Sequence, residues 1–433
     1  MISWLSTHNS TSGTKMLEIK LLNRLGISRK DFFVLFILLF NAFSWHYMIH
    51  MSMIPRILSG FSIMYVQTLV WVVYYVAVAG SGLVGLILSR RIRRLHFLYF
   101  WITLGVVTSL FVIPFESTTI TNALGLSLFW GISFGLGMPS CLAYFADYTL
   151  VENRGRISGI IFLIINISFP LIGILSKLNL ITISIISAIW RFFGLIVLFL
   201  LKPSEKIAIE KKNHSPTISI FHNKAFFLYL IPWFMFCLVD RFEKTLIDQF
   251  LSNSMPSLLN VMGILEPIIA SFFILIAGLL CDWNGRKRIV LYGFVALGLA
   301  YAIIGLAPSL VISWYFYFLV DGVAWGIFLL IFVLILWGDL SQSGNREKYY
   351  TIGSVPFFLS SVIPPLLTPS FIELISPYTA FSLASFFLFV AVLPLMYAPE
   401  TLPEKKIELR RLRKYVEKAK EVKEKREEKG AKG

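Results

Sequence analysis

The feature that most constrains this chain is a succession of apolar runs, each long enough to cross a bilayer, separated by short polar stretches. Twelve can be counted, near 32–54, 64–88, 97–115, 118–146, 157–176, 179–201, 225–250, 256–280, 289–307, 309–338, 351–370 and 378–398. Such runs cross the hydrocarbon as helices, because only a helix satisfies its own backbone polar groups where no water is available. The period-two alternation of a membrane β-barrel is missing from these runs. Soluble domains carry roughly 25% charged residues. Here the share is 15% of 433. The expected fold is therefore an all-α integral membrane protein with twelve transmembrane helices.

The net charge of +15 sits in short loops and in both tails, which points to membrane orientation and not to nucleic acid. One set of connections collects Arg90, Arg91, Arg93, Arg94, Arg154, Arg156, Arg286, Lys287, Arg288, Arg346 and Lys348, together with the lysines of the loop after the sixth span. The other set offers little beyond Arg56 and Lys177. The positive-inside rule then places both termini and the central loop in the cytoplasm of a cell-membrane protein. The N-terminal stretch lacks the apolar core of a signal peptide and reads as a cytoplasmic tail, with Met16 as an alternative start. Cys141, Cys237 and Cys281 form no CxxC pair, so neither a disulfide framework nor a thiolate metal site is expected.

The chain repeats itself. "GLILSRRIRR" (85–94) lines up with "GLLCDWNGRK" (278–287) at an offset of 193. Asp147 and Arg154 match Asp339 and Arg346 at 192, and Pro170 matches Pro364 at 194. Transporter folds built from repeats leave such weak internal symmetry, here between two pseudo-symmetric six-helix bundles. The expected organisation is a tail over 1–31, a bundle over 32–201, a cytoplasmic linker over 202–224, a second bundle over 225–398 and a basic tail over 399–433.

With these features the chain resembles the major facilitator superfamily over roughly residues 30–400. The most specific likeness is "GLLCDWNGRKR" (278–288), where Gly278, Asp282, Gly285, Arg286 and Lys287 match the family's loop motif. The first-half copy keeps Gly85, Arg93 and Arg94 but has Ser89 for the acid and Ile92 for the second glycine. The Asp-x6-Arg spacing after spans four and ten is similar to the family, and so is "PET" (399–401), which recurs in sugar-porter-like and organic-ion-transporter-like members. "SFPLIGIL" lacks the paired glycines of a drug-antiporter signature.

The resemblance implies that Asp282 faces the start of helix 5, near Gly155 and Arg156, across the junction between halves. An anion there meets the exposed amides of a helix N-terminus, while Gly285 permits the tight reversal into helix 9. Asp147 and Asp339 are expected to pair with Arg93 or Arg94 and with Arg286 or Lys287 of their own halves. Because the first copy lacks the acid and the glycine, the resulting latch is expected to be lopsided. The bland alternative is that these cations only obey the positive-inside rule, and Arg90, Arg91 and Lys348 fit it well.

A charge in mid-membrane costs about 2.5–3.5 kcal/mol on insertion scales, so each calls for a reason. The resemblance implies a cavity lined by helices 1, 4, 7 and 10. Candidates for proton or substrate handling are Asp321 in helix 10, Asp240 and Arg241 in helix 7, His46 and Asn41 in helix 1, and Glu266 in helix 8. Local neutralisation competes with function at Asp240, and an ion pair within one half competes with it at Arg191. His46 and His50 in "HYMIHMSM" share a face, but no thiolate or carboxylate joins them, so no metal site is expected. Trp45, Tyr47, Trp71, Tyr74, Tyr75, Trp233 and Trp325 suit either a ring-shaped substrate or plain packing. The basic tail suits anionic headgroups.

The expected function is secondary active transport of a small solute by alternating access, with proton-coupled uptake in the lead. Proton-driven efflux of amphiphiles and a non-transporting sensor are the alternatives. No phosphate-binding loop is present, so ATP is not the direct energy source. No cofactor, no enzymatic activity and a monomeric state are expected.

Overall fold

The computed structural model describes residues 26–115, 119–175, 177–203, 217–341, 345–367 and 376–402, with Glu408 and Leu412 beyond them. Within these residues the chain forms twelve principal helices. They are α1 (Arg29–Leu58), α2 (Met64–Arg91), α3 (Arg94–Leu110), α4 (Ile120–Tyr148), α5 (Arg154–Leu175), α6 (Leu180–Leu201), α7 (Lys224–Ser254), α8 (Pro256–Asn284), α9 (Arg286–Leu306), α10 (Val311–Leu340), α11 (Arg346–Ser360) and α12 (Pro377–Tyr397). Ten are long and apolar enough to cross a membrane, α3 and α11 being the shorter ones. The N-terminal tail before Gly26, much of the central linker and most of the basic tail lie outside the described residues, and with them the expectations placed on those segments.

Side chains of loop residues set the helix starts. Ser28, Thr119, Asn179 and Asn223 each accept a backbone N–H from the first turn that follows, at 3.1, 3.2, 2.8 and 3.4 Å, which satisfies donors a helix leaves orphaned. The eleventh span stops earlier than its apolar run. Helix α11 ends at Ser360, and among the described residues one further turn, Ile363–Leu366, follows around Pro364 and Pro365; prolines lack the N–H that would continue the ladder.

Large apolar side chains face outward, as Phe199, Leu200 and Ile312 do, because lipid is as good a solvent for them as a protein core. Interior contacts are made instead by small residues and buried hydrogen bonds. In the first half Trp101 donates to the Ser133 carbonyl at 2.6 Å, Trp130 to the Thr108 carbonyl at 3.0 Å and Ser127 to the Val70 carbonyl at 2.7 Å. These tie α2, α3 and α4 together. Helices α9, α10 and α12 pack in the second half, and the halves meet along α5 with α8 and along α2 with α11.

Two helices widen locally into π turns, α1 at Ile49–Met53 and α10 at Leu329–Ile335. Such turns concentrate at functional sites, and both segments reach the central cavity described below. The α5–α8 seam depends on glycine. A Cβ on Gly155 would sit 2.5 Å from Cys281 Sγ and 2.6 Å from Asp282 Oδ1, and one on Gly278 would collide with the Gly155 carbonyl oxygen. The two backbones therefore touch, which brings the end of α8 within reach of the start of α5. Gly278→Val is expected to lower stability by about 1–3 kcal/mol, as overpacking does. Gly263→Ala, with open space around it, should leave stability unchanged. Thermal unfolding in one detergent checks both.

Candidate functional site

At the end of α8, Asp282 is fully buried and accepts the backbone N–H groups of Gly155 at 3.0 Å and Arg156 at 2.9 Å. A carboxylate thus caps the first turn of a helix in the other half, where orphan amides and the helix dipole favour negative charge. Arg286 closes back on Asp282 at 3.1 Å and donates to the Val151 carbonyl before α5. Gly285, at φ 95°, makes the reversal between α8 and α9 in a region few other residues adopt.

The two equivalent aspartates of the repeat each hold two arginines, one from each half. Asp339 binds Arg286 at 3.0 Å and Arg154 across the junction. Asp147 binds Arg94 and, across the junction, Arg346 at 2.6 Å. Arg94, Asp147 and Arg154 have their counterparts in Arg286, Asp339 and Arg346, all at an offset of 192. The arrangement is a pseudo-two-fold exchange of arginines. Of the alternatives expected within each half, Arg94 and Arg286 make the pairs; Arg93 stands before the first turn of α3, and Lys287 Nζ donates to the Met396 carbonyl at 2.7 Å. The cross-half pairs were invisible because a repeat offset aligns equivalent residues and says nothing of which half a side chain reaches into.

The network is lopsided. Arg154, Asp339, Asp282 and Arg286 have side-chain exposures of 0%, whereas Arg94, Asp147 and Arg346 are at 25%, 22% and 14%. Glu347 adds to the wetter side, 2.5 Å from Arg94. Glu400 of "PET" is a participant whose role sequence reasoning missed. It caps α9 by accepting the N–H groups of Arg286 at 2.8 Å and Lys287 at 3.1 Å, and a Cβ on Gly285 would collide with it. The tripeptide was legible as a motif, but its target could be read only from the packing.

Away from this face, a cavity of about 260 Å³ lies between the halves. Phe134, Phe162, Trp233, Trp325, Phe332 and Phe357 supply much of its aromatic wall, and His46, His50, Asn166, Arg241, Ser354 and Ser361 its polar groups. His46 Nδ1 meets the Tyr74 hydroxyl at 2.7 Å and His50 Nε2 the Tyr75 hydroxyl at 2.6 Å. Of the aromatic candidates, Tyr47, Tyr75, Trp233 and Trp325 line the cavity, while Trp45 is buried in the first half.

The other intramembrane candidates are placed apart. Asn41 donates to the Trp190 carbonyl at 2.7 Å and accepts from Arg191 at 2.8 Å. Arg191 itself lies between the rings of Trp45 and Trp101, at 4.7 and 4.5 Å, so both residues belong to the packing of the first half. Asp240, Glu243 and Asp321 are buried behind the cavity wall in α7 and α10. Asp240 accepts the Trp325 indole N–H at 3.0 Å, and Lys244 stands 4.0 Å from both Glu266 and Asp248. Asp321 Oδ1 and Glu243 Oε2 are buried with no hydrogen-bond partner among the described residues. Glu243 carried no signal beyond its position one turn after Asp240.

No protein-family model and no curated protein sequence matches the chain. Solved structures do. The human organic anion transporter MFSD10 (TETRAN) superposes with a TM-score of 0.64 at 15% identity, over 85% of this chain and 99% of that one. The proton:xylose symporter XylE, bound to 6-bromo-6-deoxy-D-glucose, superposes with a TM-score of 0.68 at 13% identity, over 86% and 96%. The fold is that of the major facilitator superfamily. The sequence expectation of an all-α, twelve-helix membrane architecture holds.

Removing one partner of a buried ion pair costs about 3–5 kcal/mol, and an exposed pair under about 1 kcal/mol. Asp339→Asn should therefore destabilise contact between the halves far more than Asp147→Asn. Asp282→Asn should open the same seam. In a background with Cys141 and Cys237 replaced by alanine, maleimide labelling of the buried Cys281 should rise in Asp282→Asn and Asp339→Asn and stay near the parent rate in Asp147→Asn.

Proposed function

We propose that the protein is a proton-coupled secondary carrier that takes up a small solute by alternating access. The observation that carries this reading is a central cavity between two half-molecules joined on one face by a set of ion pairs and helix caps. Taken with the positive-inside rule, that face is cytoplasmic and the latch marks a state closed to the cytoplasm. Breaking the arginine exchange and the Asp282 cap would let α5 and α8 part, and the cavity would then open to the cytoplasm. This rocking of two repeats around a central site is how repeat-built carriers work.

Proton coupling is supported by Asp321 and Glu243. A carboxylate with an oxygen buried and unpartnered in a membrane interior is far less costly when protonated, so each can hold a proton in one state and release it when water reaches it in another. Asp321 is the leading proton carrier, in the field of Glu266, Asp240 and Lys244. That one structural neighbour is a proton symporter agrees with this reading. Common ligand pockets begin at roughly 300 Å³. The cavity, at about 260 Å³, is smaller, which favours a small solute over export of a bulky amphiphile.

The test begins with a thermal-shift screen of sugars, amino acids and organic acids, followed by transport of the stabilising solute into proteoliposomes under an imposed pH gradient. Accumulation driven by the gradient is expected in the parent. In Asp321→Asn it should fall at least tenfold while solute exchange without a gradient persists. Binding without flux would mark a sensor, and full gradient-driven accumulation in Asp321→Asn would move the proton elsewhere.

A further inference from the structure

The cavity wall has an unusual charge inventory. Among the described residues that line it, Arg241 is the one lysine or arginine, and no aspartate or glutamate is present. The nearby carboxylate of Asp240 is committed elsewhere: its Oδ1 takes the Trp325 indole N–H at 3.0 Å, and its Oδ2 lies 3.9 Å from Arg241 Nε. That separation is an ion pair too long for a hydrogen bond. The guanidinium of Arg241 therefore keeps donors unspent at the cavity wall.

Aromatic rings flank that group. The guanidinium carbon lies 5.0 Å from the centre of the Phe357 ring and 5.9 Å from that of Trp325, within the range of cation–π attraction. The two rings stand edge to face with each other and border the guanidinium, whose fork of N–H donors matches the two oxygens of a carboxylate. His50, on the π turn of α1, lines the same cavity from the first half. Both histidines meet tyrosine hydroxyls instead of carboxylates, so the lining offers no carboxylate to pair with a cation. The remaining surface is mostly aromatic or aliphatic, which suits a flat apolar body.

We propose that the substrate is a small organic monoanion, one carboxylate on an aromatic or compact apolar body, with the carboxylate held by the Arg241 fork and the body among the rings. The assignment rests on the cavity being the transport site. It also gives the proton a purpose: a monoanion carried with one proton moves no net charge, so a pH gradient alone can drive it. Because Arg241 belongs to the second half and His50 to the first, an anion seated between them touches both halves and can bias their closure.

The probe is radiolabelled benzoate, bound to the full chain in lipid nanodiscs, with benzamide and benzylamine as neutral and cationic competitors of the same shape. Saturable benzoate binding is expected, displaced by other aromatic acids at least tenfold better than by benzamide and not by benzylamine. Arg241→Gln should weaken benzoate at least tenfold and leave benzamide unchanged, while Arg241→Lys, keeping the charge but not the fork, should fall between. Equal competition by benzamide or benzylamine, unaltered benzoate affinity in Arg241→Gln, or no binding of any aromatic acid would overturn the proposal. The competition order in the parent protein decides even if Arg241→Gln does not fold. Gradient-driven flux of another solute without benzoate binding would remove the substrate class and keep proton-coupled carriage; benzoate binding without flux would do the opposite.

Discussion

The burial of Arg286, Asp339, Arg154 and Asp282 at the junction of the halves is the constraint on which the rest depends. Four charges with no side-chain exposure are tolerable only if each finds opposite charge and hydrogen bonds in the right geometry. Here they do so by pooling residues from both halves. Neither half could bury its own members alone, since Asp339 needs Arg154 and Asp282 needs the amides of Gly155 and Arg156. The junction is thus stable as a whole and costly to open partly, which is the character a two-state gate requires.

Backbone proximity makes that burial possible. Glycines at 155 and 278 let α5 and α8 touch, and the positive φ of Gly285 turns the chain so that Arg286 points back at Asp282. Glu400, arriving from beyond α12, completes the cap of α9 as Asp282 completes that of α5. The N-termini of these two helices are therefore stabilised by carboxylates from elsewhere in the chain, so that moving a helix means parting it from a charge as well as from its packing.

The two copies of the repeat differ in a physically ordered way. The second keeps the acid and the glycine, and its Asp282, Arg286 and Asp339 form the dry side with Arg154 of the first half. Arg94 and Asp147 of the first, the copy with Ser89 and Ile92, form the wetter side with Arg346 of the second half. The interiors differ too. Buried acids gather in α7, α8 and α10, whereas the first half buries Arg191 between two tryptophans and fills the space with packing.

The sequence by itself determined the membrane class, the twelve helices and the duplicated loop motif. Apolar length, cation placement and repeat spacing are local or periodic properties that survive without knowledge of contacts. It also singled out Asp282, Asp147, Asp339 and their arginines, since charges at fixed offsets beside apolar runs are conspicuous. Only the tertiary structure decided that the arginines are exchanged between halves, that Glu400 caps α9, that Asn41 serves packing, and that Arg241 reaches the cavity while Asp240 turns to Trp325. Adjacent residues on one helix point about 100° apart, so a neighbouring Asp and Arg can belong to different surroundings, and which of them meets the central cavity is settled by how the helices pack.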